Sequence, residues 1–279
     1  MGICNITPDS FSDGGLYREP AAARARVDEL VAQGADIVDI GGESTRPGAV
    51  PVPAAEQIGR VLDAVRYAAS LGVCVSIDTT NGAVAEACLG EGASAVNDVS
   101  CLAEEALARV VAAGGAALLL MHARGTQQKM LGFSQYPDAG YGDVVCDVLD
   151  EWGRAAERAC GSGVPRDALV MDPGLGFAKN ARQSAELLAR IGEFVRALDV
   201  PVAVGPSRKS FLTVVDDAPA ADRLGASIAA ALHAARAGVA LVRVHDVRAT
   251  RQAVDLWRHL QRGGVSGALA TAAPLSAEG

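Results

Sequence analysis

Eight short apolar runs, each separated from the next by a segment of helical periodicity, limit what this chain can become more than any other feature. They lie at residues 1–5, 35–40, 73–77, 93–97, 116–120, 168–171, 201–205 and 239–244. The runs are apolar on both faces, as in V-C-V-S-I (73–77) and A-A-L-L-L (116–120). That pattern predicts strands of a parallel sheet covered by helices rather than of an amphipathic antiparallel one. The intervening segments, such as 21–33 and 53–70, carry apolar residues at helical spacing, and Gly34, Gly72, Gly92, Gly114 and Gly238 fit helix C-terminal ends. Eight βα units predict a closed TIM (β/α)8 barrel, with a doubly wound open sheet as the alternative architecture. At 279 residues the chain matches a single barrel of about 250 residues. One domain over 1–262 is therefore expected, followed by a small-residue, aperiodic stretch at 263–279 that is read as a flexible C-terminal tail. Met1 already lies within the first strand, so any upstream segment closing the far end of the barrel is expected to be missing.

Charge and cysteine usage exclude several function classes. With 25 basic against 33 acidic residues the net charge is −8, which opposes nucleic-acid binding and offers no polybasic membrane patch. An anionic ligand would need a locally arranged positive pocket. No run approaches the ~18 apolar residues of a membrane span, and no basic segment precedes an apolar one as in an export signal. The six cysteines (Cys4, Cys74, Cys88, Cys101, Cys146 and Cys160) form no C-x-x-C pair and mostly sit inside apolar runs. They read as buried, reduced thiols of a cytoplasmic protein rather than as a metal site or disulfide frame.

Active sites of barrels are assembled at the C-terminal ends of the strands, and here every run ends in polar or glycine residues. The first stops at Asn5 and opens into T-P-D-S-F-S-D-G-G (7–15); the second empties into G-G-E-S-T-R-P-G (41–48). The third gives S-I-D-T (76–79), the fourth N-D-V-S (97–100), the fifth M-H-A-R-G-T (121–126) and the sixth D-P-G-L-G-F (172–177). The seventh gives G-P-S-R-K-S-F (205–211) and the eighth R-V-H-D-V (243–247). Asp78, Asn97 and Asp172 stand at the tops of neighbouring strands. Aimed inward, they would form a row of acceptors with one mixed donor, suited to a heteroaromatic ring bearing an amino group and ring N–H donors. Singly, each could instead cap a following helix. Arg243 and His245 are at i and i+2, so a strand would project both to one side. With Lys209 they make a cationic site for a phosphate or diphosphate. Asn5 and Asp13 could supply oxygen ligands to a Mg2+ bridging that diphosphate.

Seven of these motifs, T-P-D-S-F-S-D-G-G (7–15), G-G-E-S-T-R-P-G (41–48), S-I-D-T (76–79), N-D-V-S (97–100), D-P-G-L-G-F-x-K (172–179), S-R-K-S-F (207–211) and R-V-H-D-V (243–247), resemble the dihydropteroate synthase family. They occur in the family's order and at family-like spacing, and the resemblance covers about residues 1–260. It implies a TIM barrel transferase of an alkyl group in folate biosynthesis. Its substrates would be 6-hydroxymethyl-7,8-dihydropterin diphosphate and para-aminobenzoate, and its products 7,8-dihydropteroate and diphosphate, by an SN1-like displacement. Residues matching the pterin slot are Asp78, Asn97, Asp172 and Lys209, with Met121 as a wall and Arg243 stacking on the ring. Those matching the diphosphate and Mg2+ site are Asn5, Asp13, Arg243 and His245. Those matching the aminobenzoate side are Phe11, Thr45, Arg46, Pro47, Phe177, Lys209 and Ser210. The catalytic set implied is Asp13, Lys209, Arg243 and His245. The resemblance also implies mobile loops at 7–15 and 41–48, sulfonamides as competitive inhibitors, and a homodimer through late helices near the alanine-rich segment 218–236.

The chain departs from the common pattern at 80–83, where the family often has Lys and Pro, and at Cys101, Gln127 and Ser184. None of these falls on an inferred ligand-contacting position. Two other readings are weaker on the residues. Methyltetrahydrofolate-binding methyltransferase domains share a barrel with equivalent Asp and Asn positions but lack the loops found here at 7–15 and 41–48. A noncatalytic paralogue would be expected to lose Asp13, Lys209 or Arg243 first, and all three are present.

Overall fold

The computed structural model describes residues 1–7, 19–44, 50–125, 131 and 135–262. Its strands are β1 (Gly2–Asn5), β2 (Ile37–Gly41), β3 (Cys74–Asp78), β4 (Ala95–Asp98), β5 (Ala117–Met121), β6 (Leu169–Asp172), β7 (Ala203–Val204) and β8 (Leu241–Val242). The helices between and after them are α1 (Glu19–Ala32), α2 (Ala54–Ser70), α3 (Gly82–Leu89), α4 (Glu105–Ala113), α5 (Val144–Gly161), α6 (Ala181–Ala189), α7 (Ile191–Ala197), α8 (Leu224–Arg236) and α9 (Val247–Gln261). The first six strands pair in sequence order, all parallel, and β7 pairs parallel with β8. Parallel bridges Met171–Val202 and Gly2–Val244 join the two sets into a ring. At the seam the amide of Ile3 donates to Val244 O and that of Val244 donates to Met1 O, both at 3.0 Å. The fold is a single TIM barrel, and the open-sheet alternative is excluded.

Strand alternation then decides which residues can meet a ligand. Val38, Ile40, Val75, Ile77, Leu118, Leu120 and Met171 belong to the large apolar core that includes residues of the surrounding helices. Trp152 on α5 is part of that layer and donates its indole N–H to Leu120 O at 2.9 Å. The opposite parity forms a separate small cluster of Met1, Ala95 and Leu119, with Ile37, Ala117, Val170 and Leu241 against it. This is the floor of the barrel lumen. Two or four residues further on, the same parity reads Asn5, Asp39, Gly41, Asn97, Met121, Asp172 and Arg243. The lumen thus changes from apolar at its floor to polar at its C-terminal mouth.

The strands differ from their sequence expectation mainly at the ends. β3, β5 and β6 run on through Asp78, Met121 and Asp172, because a ladder of backbone hydrogen bonds continues where the side chains turn polar. β7 is short, bracketed by Pro201 and Pro206, which have no N–H to give. Gly34, Gly72, Gly92 and Gly238 take positive φ after their helices, but at the end of α4 the left-handed residue is Gly115 and not Gly114. Cys4 and Cys88 are buried whereas Cys74 and Cys146 are exposed, so the expectation of buried thiols holds only in part. Among the described residues no helix is long and apolar enough to cross a membrane.

Candidate active site

At the mouth of the lumen Arg243 links two carboxylates. Its Nε donates to Asp39 Oδ2 at 2.6 Å and its Nη2 to Asp78 Oδ2 at 2.7 Å. The Asn97 amide also donates to Asp39 Oδ2, at 3.2 Å. Asp39 is fully buried on β2, and Asp78 and Asn97 nearly so. Asp39 Oδ1, Ser76 Oγ and Asp78 Oδ1 are buried and have no hydrogen-bond partner among the described residues. A buried polar atom without a partner marks a place where a ligand or water group belongs. Burial pushes the Asp78 carboxyl up to about 7, although Arg243 opposes the shift. Burial raises Asp172 as well, with Lys209 pulling it back. Asp78 is thus left with one buried oxygen unpartnered, as an acceptor for a donor-rich ring edge would be.

The loop after β6 completes the slot. Asp172 Oδ1 accepts from the Gly174 amide at 2.7 Å, and Lys209 Nζ donates to Leu175 O at 2.6 Å while lying 4.9 Å from the centre of the Phe177 ring. Burial moves the Lys209 ammonium down to about 8. Phe177, Met121 and Val99 pack as one apolar cluster beside the polar row. Lys209 follows Arg208, a non-glycine residue at φ 58°. That left-handed residue is held by a two-point ion pair with Asp246 (3.0 and 2.6 Å) and by Ser227 Oγ, which accepts its amide at 2.9 Å. Strained backbone of this kind persists only where its surroundings enforce it.

Gly174 is indispensable to the turn for two reasons. Its φ is +70°, and a Cβ there would run into the carbonyl oxygen of His122. Gly174→Ala should cost roughly 3 kcal/mol, the upper end for forcing extra atoms into a packed site. Thermal unfolding should therefore come several degrees earlier; an unchanged unfolding temperature would show that the turn relaxes freely.

Asp78, Asn97, Met121, Asp172, Lys209, Arg243 and Phe177 are brought to this mouth as expected. Asp172 is not next to Asn97, however, because β5 and its Met121 lie between β4 and β6. The helix-capping alternative fails for all three polar residues. Asn81 caps α3, Asn180 caps α6, and α4 starts at Glu104 with no side-chain cap. His245 lies at the mouth, its Nδ1 3.0 Å from Ser207 Oγ, but burial followed by the charges of Arg243 and Arg208 pushes it down to about 4. Burial and these charges favour the neutral imidazole, whereas the sequence reading expected a cationic Arg–His pair. Asn5 is exposed at the end of β1, in register with Gly41 and, through it, Asp78. Ser210 opens the 3-10 helix Ser210–Val214 next to Lys209. Phe11, Asp13, Thr45, Arg46 and Pro47, the bulk of loops 7–15 and 41–48, and the tail 263–279 lie outside the described residues, as does Gln127.

Of the other departures from the family pattern, Asn81 supplies the α3 cap, and Cys101 sits at φ 60°. Ser184 Oγ accepts the Gly176 amide at 3.0 Å and donates to Asn180 O at 2.8 Å, tying the β6 loop to α6. Asp39 escaped the sequence reading, although a carboxylate inside an apolar run, two residues before Gly41, was a usable signal.

Comparison with known proteins agrees with this geometry. The family model described as pterin binding enzyme matches residues 1–245. A dihydropteroate synthase of Mycobacterium leprae is 42% identical, with 93% of each chain covered. A probable bifunctional folylpolyglutamate synthase/dihydropteroate synthase of Haloferax volcanii is 41% identical over 92% of this chain, which spans 30% of that longer protein. Among solved structures, Xanthomonas albilineans dihydropteroate synthase with 4-aminobenzoic acid superposes with a TM-score of 0.86 at 37% identity, covering 94% of this chain and 92% of that one. The Burkholderia cenocepacia enzyme complexed with 7,8-dihydropteroate gives 0.83 at 37% identity, covering 95% and 92%. The Yersinia pestis enzyme in a sulfonamide drug complex gives 0.86 at 35% identity, covering 94% of each chain. The lumen of acids around Arg243 and these matches lead to one placement: the chain belongs to the pterin-binding enzymes and, within them, to the dihydropteroate synthase family.

Proposed function

We propose that the chain condenses 6-hydroxymethyl-7,8-dihydropterin diphosphate with para-aminobenzoate, giving 7,8-dihydropteroate and diphosphate. The observation that carries this reading is the buried slot in which Asp78, Asn97 and Asp172 surround Arg243 and Lys209, with Asp78 Oδ1 unpartnered. Two acidic groups and an amide match the amino group and ring N–H donors of a pterin edge. The same carboxylates favour positive charge developing at the exocyclic methylene as its C–O bond breaks and the electron pair leaves with the diphosphate. The arylamine then forms the new C–N bond and gives up a proton. An arylamine is a weak neutral nucleophile, so departure of the leaving group has to do most of the work. Arg243 supplies charge for that departing anion, and His245 supplies an imidazole N–H that can donate to it.

Mg2+ belongs to this reading. It would be held by the Asn5 amide oxygen and Asp13, and when bound it would neutralise charge on the diphosphate. The exposed hard oxygen of Asn5 at the barrel mouth fits an ion that takes few protein ligands. On the aminobenzoate side, Phe177 and Ser210 join Phe11, Thr45, Arg46 and Pro47, and sulfonamides should compete there. A homodimer is supported by an apolar groove of about 640 Å³ between α6, the 3-10 helix Ser210–Val214 and α8, where Val214 and Val215 are 58% and 80% exposed. We place the enzyme in the cytoplasm.

The deciding experiment is a coupled assay of diphosphate release with and without aminobenzoate. Release that depends on aminobenzoate is expected; a methyltransferase-like or noncatalytic barrel would show none. Loops 7–15 and 41–48 should exclude water from the developing cation, so the aminobenzoate pocket should form only once diphosphate and Mg2+ order them. Binding titrations check this: aminobenzoate should bind weakly to the free enzyme and tightly with diphosphate and Mg2+. Equal binding in both states would reject the ordering.

A further inference from the structure

The D-P-G-L-G-F-x-K stretch ends on Lys179, a side chain to which the reaction as described gives no part. Lys179 is fully buried, and so is His122 beside it. Lys179 Nζ has three acceptors within reach: His122 Nδ1 at 2.9 Å, Phe177 O at 3.0 Å and Gly174 O at 3.2 Å. An ammonium has three protons and no lone pair, so this shell matches the charged form, whereas a neutral amine would set its lone pair against an acceptor. Burial draws the ammonium down to about 7, with Asp172 acting in the opposite sense, so the case for the charged form rests on the three acceptors around Nζ.

This arrangement fixes the histidine in turn. His122 Nδ1 has to accept, so its ring proton sits on Nε2 and is donated to Glu151 Oε2 at 3.0 Å. Burial, then the Lys179 charge, push the imidazole down to about 4, in keeping with one ring proton at neutral pH. The His122 N–H and the Arg124 guanidinium together hold Glu151 well below the usual carboxylate range. Arg124 stacks over Tyr141, whose hydroxyl donates to Ala178 O at 3.1 Å, and Ala178 itself is left-handed at φ 52°. A continuous set of contacts therefore runs from α5 to the turn at 174–177. That turn supplies the Gly174 amide to Asp172, and the Leu175 carbonyl and Phe177 ring to Lys209.

We propose that Lys179 is a positioning residue for this reaction: its ammonium, seated on the neutral Nε2–H form of His122, clamps the turn at 174–177 and so sets Asp172 and Lys209 against the pterin. The proposal rests on the dihydropteroate synthase reading. It is tested with the full chain by steady-state kinetics of wild type, Lys179→Met, His122→Leu and His122→Gln. Circular dichroism and thermal unfolding are recorded for each.

Lys179→Met and His122→Leu should raise KM for the pterin diphosphate by roughly tenfold or more, the scale of one lost buried polar contact, with a smaller change in kcat. Glutamine can accept from Lys179 through Oε1 and donate to Glu151 through its amide, so His122→Gln should stay within about threefold of wild type. A purely structural role predicts instead that folded variants keep the wild-type KM, and that glutamine does no better than leucine. Either result overturns the clamp. If Lys179→Met fails to fold, the two His122 variants still decide. Two-bond 1H–15N spectra of wild type give a further readout: His122 should be the Nε2–H tautomer at pH 7, and an Nδ1–H tautomer or an imidazolium would also overturn the proposal. Wild-type turnover is measured alongside. Its absence overturns the functional reading and with it this role, whereas an active wild type with unaltered variants overturns the clamp alone.

Discussion

Replacing Arg243 by alanine should lower turnover by about two orders of magnitude or more, the usual cost of removing one charge-stabilising donor from a transition state. It should also weaken the fold. The guanidinium is bound to Asp39 and Asp78 at 2.6 and 2.7 Å, and without it two buried carboxylates face each other with no cation between them. Removing one member of a buried ion pair typically costs about 3–5 kcal/mol, which for a domain of this size is a fall in unfolding temperature of the order of 10 °C. The two effects can be separated by adding Asp39→Asn. That change should restore much of the lost stability, because it removes a stranded charge, and little of the activity. Diphosphate release and thermal unfolding measure the two arms. An alanine variant that keeps more than about a third of wild-type turnover would reject the assignment of Arg243 to the reacting centre.

Asp172→Asn should reduce pterin affinity by roughly 10- to 100-fold, corresponding to the ~1–3 kcal/mol cost of leaving a buried polar group unmatched. The amide oxygen can still accept from Gly174, so the turn after β6 is retained; the NH2 group then meets a donor on the ligand. The stability effect has the opposite sign. Burial raises the Asp172 carboxyl in the folded state, so whatever stability it contributes is present below its unfolded value and is lost as pH rises through the folded one. Ionising this buried carboxyl therefore works against the fold, and the asparagine variant, which carries no charge there, should unfold no earlier than wild type at pH 7. Calorimetric titration with a pterin ligand and a melting curve at pH 7 check both halves. Unchanged affinity would mean that Asp172 serves only its own loop, through Gly174.

Much of this site was legible before any coordinates, and the reason is the barrel itself. Its strands all point the same way, so residues at the ends of eight separate apolar runs must gather at one rim, and Asp78, Asn97, Asp172, Lys209 and Arg243 do so. Less legible were the residues that act on other residues. Asp39 read as one polar position in an apolar strand until the β2–β3 register put it beside Ser76 and its oxygen within reach of Arg243 and Asn97. Lys179 and His122 are 57 residues apart, and no local pattern announces their contact. His245 misled for a related reason. An imidazole two residues from an arginine suggests two charges, but burial and neighbouring guanidinium groups favour the neutral ring.

The sequence by itself determined the fold class, the polarity of the strand ends and the chemistry of the groups available there. These depend on periodicity and residue type, which act over a few positions along the chain. Only the tertiary structure decided which oxygen of Asp39 holds Arg243, that β5 separates Asn97 from Asp172, and that Arg208 is locked left-handed between Ser227 and Asp246. It also decided the protonation preferences at the barrel mouth. Those depend on burial and on charges supplied by distant strands, quantities that exist only once the ring has closed and water has left its lumen.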